Sequence, residues 1–82
     1  MAEKNETIIT VTIHNHKAEL RHNSRYVIGR ADNCDIQILH GSVSRYHCCL
    51  DVEEGEVYVE DLGSANGTFV NGRRISDRKR LI

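Results

Sequence analysis

A chain of 82 residues makes one domain with a thin core, burying only about 60–65% of the surface its unfolded form exposes, so a deep cofactor cleft is disfavoured. Hydrophobic residues make up 39% and charged residues 28%, with no proline, a composition that folds rather than stays disordered. The formal net charge is −1, which offers no general attraction to nucleic acid or to an anionic membrane.

Residues 1–6 are polar and lack the apolar stretch of a secretory signal, so they are expected to be loosely attached to a single domain spanning residues 7–82. Ile9, Val11 and Ile13 alternate with Thr10 and Thr12, the period-two pattern of a half-buried strand. His14 to Lys17 is expected to turn, Ala18 to Leu20 to form a short strand, and Arg21 to Ser24 to turn again. Tyr26-Val27-Ile28 predicts a strand that stops at Gly29. Ala31 to Cys34 has turn chemistry, since Asp and Asn side chains satisfy nearby backbone, and Asp35 to Ile38 alternates again. A polar loop from His40 to Tyr46 leads into a strand from His47 to Val52, with Cys48, Leu50 and Val52 on one face.

Glu53-Glu54-Gly55 is a tight reversal into the alternating Val57, Val59 and Asp61. Residues 61–67 form a small-residue loop, and Asn71-Gly72 joins Thr68-Phe69-Val70 to Arg73-Arg74-Ile75. Asn-Gly suits a two-residue type I′ turn, because both central positions need positive φ. Arg78-Lys79-Arg80 is read as a solvated chain end. Many short strands without an amphipathic helical stretch predict an all-β sandwich or barrel.

No apolar run approaches the roughly 20 residues that span a bilayer. Cys34, Cys48 and Cys49 are an odd set without framework spacing, so reduced thiols are expected, in the cytoplasm or in another reducing compartment such as the nucleus. His47-Cys48-Cys49 looks like a fragment of a metal site. Strand neighbours point to opposite faces, however, and no second Cys pair stands at zinc spacing, so no metal or cofactor is expected. Ser44 and His47 have the residue types of a nucleophile and its base, but no acid completes a recognised order. Catalysis is not expected.

The chemistry-bearing residues fall in three connections: Gly29-Arg30, Ser44-Arg45-Tyr46-His47 and Ser64-Ala65-Asn66-Gly67-Thr68. Each borders a predicted strand, so in a sandwich they can gather at one end, where binding loops commonly sit. Together they offer guanidinium groups, hydroxyls, an amide and glycine-permitted backbone N–H groups, a donor set suited to an oxyanion. Arg reads phosphate bidentately, and hydroxyl and backbone donors fill the remaining oxygens.

Gly29-Arg30, then Ser44-x-x-His47, then Asp61-x-x-Ser64-x-Asn66-Gly67-Thr68-x-x-Asn71-Gly72 resembles the forkhead-associated (FHA) domain signature, in order and at ordinary spacing from about Tyr26 to Ile75. The resemblance implies a two-sheet twisted β-sandwich whose apical loops bind phosphothreonine peptides, and a reversible adaptor in kinase signalling that recognises a Thr-phosphorylated protein. Carried over position by position, Arg30 contacts the phosphate, Ser44 hydrogen-bonds a phosphate oxygen, and Arg45 adds charge or lines the site. Asn66 holds the peptide backbone, and Ser64 is a further candidate contact whose alternative is a local turn role. Gly29, His47 and Gly67 support the loops.

Two departures stand out. Ala65 occupies a position where many relatives carry Thr or Ser, and losing such a donor weakens binding by ~1 kcal/mol or more unless another group compensates. The family also continues with closing strands that residues 1–82 lack. Those strands are expected either outside this chain or from a partner or swapped subunit, giving a monomer in the first case and an edge-paired or swapped dimer in the second. The alternative function is accordingly a phosphate-independent interaction or oligomerisation module using an open sheet edge. A nucleic-acid-binding fragment using Arg73, Arg74 and Arg78–Arg80 is weaker, since the loops lack stacking aromatics.

Overall fold

The computed structural model describes residues 8–13, 15–21 and 23–81, with side chains from Thr12 onward. Its elements are β1 (Ile8–Ile13), β2 (His16–Arg21), β3 (Ser24–Gly29), β4 (Ile36–Gln37), β5 (Cys48–Glu53), β6 (Glu56–Asp61), β7 (Phe69–Val70), β8 (Arg73–Arg74) and β9 (Lys79–Arg80), and no helix occurs among the described residues. The expected loose attachment of residues 1–6 lies outside the described residues, as does His14.

At the centre is a five-stranded sheet in the order β4-β3-β5-β6-β9, antiparallel except where β3 meets β4. Its register separates two faces. Tyr26 lies opposite Leu50, Leu50 opposite Val59, and Val52 opposite Val57. With Leu20, Ile28, Ile38, Cys48 and Ile75, the aliphatic members of this row form the buried cluster, and Tyr26 packs against it. The other face carries Arg25 opposite Asp51, Asp51 opposite Tyr58, and Tyr58 opposite Arg80. A slip of one residue would exchange the two sets, so the hydrophobic pattern fixes the pairing.

Two antiparallel ribbons, β1–β2 and β7–β8, supply the remaining strands. Leu20 from β2 and Ile75 just after β8 sit in the core, with Ile13 and Val70 packed against it. Between ribbons and sheet lies a cavity of about 640 Å³, lined by Ile13, Ile28, Leu50, Val59, Phe69 and Leu81 among others. The reversals follow their sequences. Glu54 and Gly55 have φ of 51° and 84°, and Asn71 and Gly72 have 51° and 82°, the pair of positive values a type I′ hairpin requires. The turn expected over His14 to Lys17 is tighter than that, since β2 already begins at His16.

One expectation is corrected. Arg78-Lys79-Arg80 is not a solvated chain end: Lys79 and Arg80 pair with Val59 and Tyr58 of β6 as an edge strand. Leu81 N–H extends the contact by donating to the Val57 carbonyl at 2.6 Å. The charges add to that backbone pairing. Arg78 lies 4.2 Å above the Tyr58 ring and within 3.6 Å of Asp51 and 3.4 Å of Glu53, while Arg80 lies 3.4 Å from Glu56. Each exposed pair contributes at most about 1 kcal/mol, and a basic edge also discourages pairing with another chain.

All three cysteines are unbridged. Cys48 faces the core, where burial pushes its thiol up to about 11 despite a hydrogen bond with Thr68. Cys49 faces the opposite side, where Arg25 Nη2 donates to its sulfur at 3.2 Å. Burial raises the Cys49 thiol, with Arg25 acting against that rise. The ligand atoms of Cys49, Asp51 and Glu60 lie within 4.8 Å of one another. The Arg25 guanidinium, 3.7 Å from Asp51, already supplies the positive charge of that group.

Candidate functional site

The three connections singled out in the sequence meet at one end of the sheet. At the exit from β3, Arg30 N–H donates to the Ser44 carbonyl at 3.0 Å and Ala31 N–H to the Arg45 carbonyl at 3.1 Å. The backbones approach so closely that a Cβ on Gly29 would collide with the Arg45 carbonyl. Glycine is needed there for space. Arg30 Nε donates to the Val43 carbonyl at 2.9 Å. That tether runs the side chain along the neighbouring loop, and the two Nη groups have no protein partner among the described residues.

His47 joins the loops at the entry to β5, where its N–H donates to the Ile28 carbonyl at 2.8 Å. Ring Nδ1 accepts from Ser44 N–H at 3.0 Å, so Nε2 carries the proton and donates to the Gly67 carbonyl at 2.8 Å. A single neutral tautomer therefore bridges both loops. The Ser44 hydroxyl accepts from Ala65 N–H at 2.9 Å, which leaves its own proton for an outside acceptor. Asn66 Nδ2 donates to the Ser42 carbonyl at 2.9 Å, and its Oδ1 has no partner among the described residues. The Arg45 side chain is exposed and likewise has no hydrogen-bond or ion-pair partner among them.

Ser64 belongs to a different set. Its hydroxyl proton goes to Asp61 Oδ1 at 2.5 Å, and its oxygen accepts from Gly67 N–H at 3.0 Å. The donor that a phosphate contact would need is committed inside the loop, so the local role is the one the geometry carries. Gly67, at φ 91°, brings the loop against the Arg74 side chain, where a Cβ would meet Nε at 2.6 Å.

Sequence reasoning placed Asp61 on the alternating row and in the signature but gave it no role of its own. Its carboxylate accepts from Ser64 Oγ, from Thr68 Oγ1 at 2.6 Å, from Gly63 N–H at 3.0 Å and from Ser64 N–H at 3.1 Å. Burial alone would raise its pKa, but these four donors outweigh it and hold the carboxyl at about 2 rather than 3.8. The signal was present in the alternation: Asp61 continues the inward row of Val57 and Val59, opposite Cys48, and an acid on an inward row needs donors.

Comparison with known proteins bears on the family and the fold. The FHA domain family profile matches residues 26–82. Kanadaptin from Homo sapiens is 40% identical over 70 residues, 72% of this chain but 9% of kanadaptin, so the chain spans only a small part of that relative. Among solved structures, the FHA domain of the CT664 protein from Chlamydia trachomatis has a TM-score of 0.77 at 29% identity, covering 93% of this chain and 77% of that one. Mycobacterium tuberculosis EmbR, solved in complex with a low affinity phosphopeptide, has a TM-score of 0.74 at 25% identity over 92% of this chain and 19% of that one. The match over residues 26–82 and the all-β sandwich shared with these structures make this chain a member of the FHA domain family.

Proposed function

We propose that this chain binds phosphothreonine peptides and serves as a reversible protein–protein interaction module in kinase signalling. The observation that carries the reading is the set of unspent polar groups on loops tied to one another: the Arg30 Nη groups, the Ser44 hydroxyl proton and Asn66 Oδ1. Arg30 grips two phosphate oxygens, Ser44 donates to a third, and Arg45 adds positive charge from the rim. Asn66 accepts a peptide backbone N–H and so orients the residues flanking the phosphothreonine. Support also comes from EmbR, a relative that holds a phosphopeptide.

The ligand carries about −1.5 to −2 charge at neutral pH. Charge-assisted hydrogen bonds contribute ~1.5–3 kcal/mol each, against about 2–5 kcal/mol for ordering a flexible peptide. With the contacts of the peptide itself added to these bonds, micromolar affinity is the expected range, which suits a reversible contact. The test is a phosphothreonine peptide library with each binder repeated after dephosphorylation. Removal of the phosphate is expected to weaken binding more than tenfold; equal binding by the dephosphorylated peptides refutes the assignment.

A second reading is association of copies through the open apolar face, and it draws on the 640 Å³ cavity and on Phe69, which is 56% exposed at its rim. Light scattering that finds only monomer across the accessible concentration range removes it.

A further inference from the structure

The residues that face a ligand sit on loops, and loops need something to hold their shape. Around Asn66, beside the ties of Ala65 to Ser44 and of Gly67 to His47, an anion gathers the loop from below. Asp61 ends β6 on the row that faces the core, so its carboxylate lies under the connection that leaves the strand. Oδ2 collects the N–H groups of Gly63 and Ser64 from the outgoing arm of the loop, and Oδ1 collects the Thr68 hydroxyl from the returning arm. The Ser64 hydroxyl links the arms, donating to Oδ1 while accepting Gly67 N–H. Asn66 is the residue suspended between these anchor points. Its side chain then reaches across to the Ser42 carbonyl.

From this we infer that Asp61 is a positioning residue for phosphopeptide binding, acting through Asn66 by drawing both arms of residues 63–68 around its carboxylate. The inference rests on the phosphopeptide reading above and deepens it. Asp61 itself touches no ligand-facing group. Its two oxygens are filled by four donors, so it adds no free negative edge beside a dianionic ligand. Ionisation matters because an acceptor-only group can serve all four donors, whereas an amide in its place turns an N–H₂ toward at least one of them. The depressed carboxyl value agrees with a group held ionised by these donors.

A residue needed only for folding and one that acts through Asn66 separate in a double-mutant cycle. Affinity for a library-derived phosphothreonine peptide is measured for wild type, Asp61→Asn, Asn66→Ala and the double variant. Acting through Asn66, Asp61→Asn weakens peptide binding about tenfold in the wild-type background and less than twofold in Asn66→Ala. Free phosphothreonine, which has no peptide backbone for Asn66 to hold, changes less than threefold. An equal loss from Asp61→Asn in both backgrounds overturns the inference. Should Asp61→Asn not fold, Ser64→Ala, which removes one donor and the link between arms, enters the same cycle with the same criteria.

Amide hydrogen exchange in the free protein is read alongside. Asp61→Asn is expected to lose protection at the Ser64 and Gly67 N–H groups while the β5–β6 ladder keeps its own, and unchanged protection at both overturns the inference. If wild type binds no phosphothreonine peptide, the phosphopeptide reading fails and the Asn66 role falls with it. Loss of protection in that case would still separate the anchoring of the loop from the failed ligand assignment.

Discussion

Replacing Arg30 by Ala removes both outward Nη groups and the Nε tether to the Val43 carbonyl, and nothing else in the described structure depends on that side chain. Two charge-assisted hydrogen bonds to a phosphate amount to roughly 3–6 kcal/mol at most. Arg30 is exposed, so water screens the pair and replaces part of what is lost. About 2–3 kcal/mol is the expected net effect, a thirtyfold to hundredfold weakening or somewhat more. Arg30→Lys retains charge but cannot keep the tether and also grip two oxygens, so it is expected to recover only part of the loss. The assay is fluorescence anisotropy with a labelled phosphothreonine peptide, with circular dichroism to confirm that each variant is folded. Breaking one exposed tether removes about 1 kcal/mol of stability or less. A folded Arg30→Ala protein that binds as tightly as wild type would refute the phosphate-site reasoning.

Two further outcomes concern stability. Gly29→Ala places a methyl group into the Arg45 carbonyl; relieving it by backbone movement is expected to cost about 1–3 kcal/mol, a drop of at least 4 °C in Tm for a domain this small, and an unchanged Tm contradicts the close approach. Asp61 is held at about 2 against 3.8 for the unfolded chain, a lowered value, so its contribution is complete above about pH 5 and is lost as pH falls through 3.8 toward 2. With allowance for partial exposure that contribution is ~1–2 kcal/mol. Urea unfolding of wild type and Asp61→Asn is expected to show a gap at pH 6 that narrows as pH falls through 3.8 and closes only below about pH 2, and a gap independent of pH sinks the assignment.

What the sequence revealed and what it hid follow from how far each signal reaches along the chain. Alternation from Cys48 through Val59 placed β5 and β6 correctly, because burial of one face imposes a period of two on every residue. Asn71-Gly72 announced its hairpin through backbone conformation alone. That the connections carrying Arg30, Ser44 and Asn66 meet at one end of the sheet was legible because polar donors clustered at strand ends serve the loops better than the core. β9 was hidden: an edge strand needs only backbone pairing, and its side chains looked like solvent-facing charge until Asp51, Glu53 and Glu56 appeared beside them. Ser64 was ambiguous for a related reason. A loop hydroxyl can serve a ligand or its own loop, and only the position of Asp61 decides which.

The organisation of the site also explains how a thin core can support a defined binding surface. Ile38 and Val43 anchor one of the loops on the core, and polar cross-ties set the rest, with His47 bridging Ser44 to Gly67, Ser44 receiving Ala65, and Asn66 reaching Ser42. Such ties are directional, so they fix geometry in a way that apolar contact does not. Substitutions at Val52 or Val57, deep in the sheet, therefore act on stability before they act on recognition. His47 and Asp61 stand at the other extreme. Each spans two loop segments through one side chain, so a change there alters the spacing between donors while leaving the strand pairing in place. Val52 and Val57 thereby bear on folding first, whereas Asp61 bears both on folding and on the shape of the loop that holds Asn66.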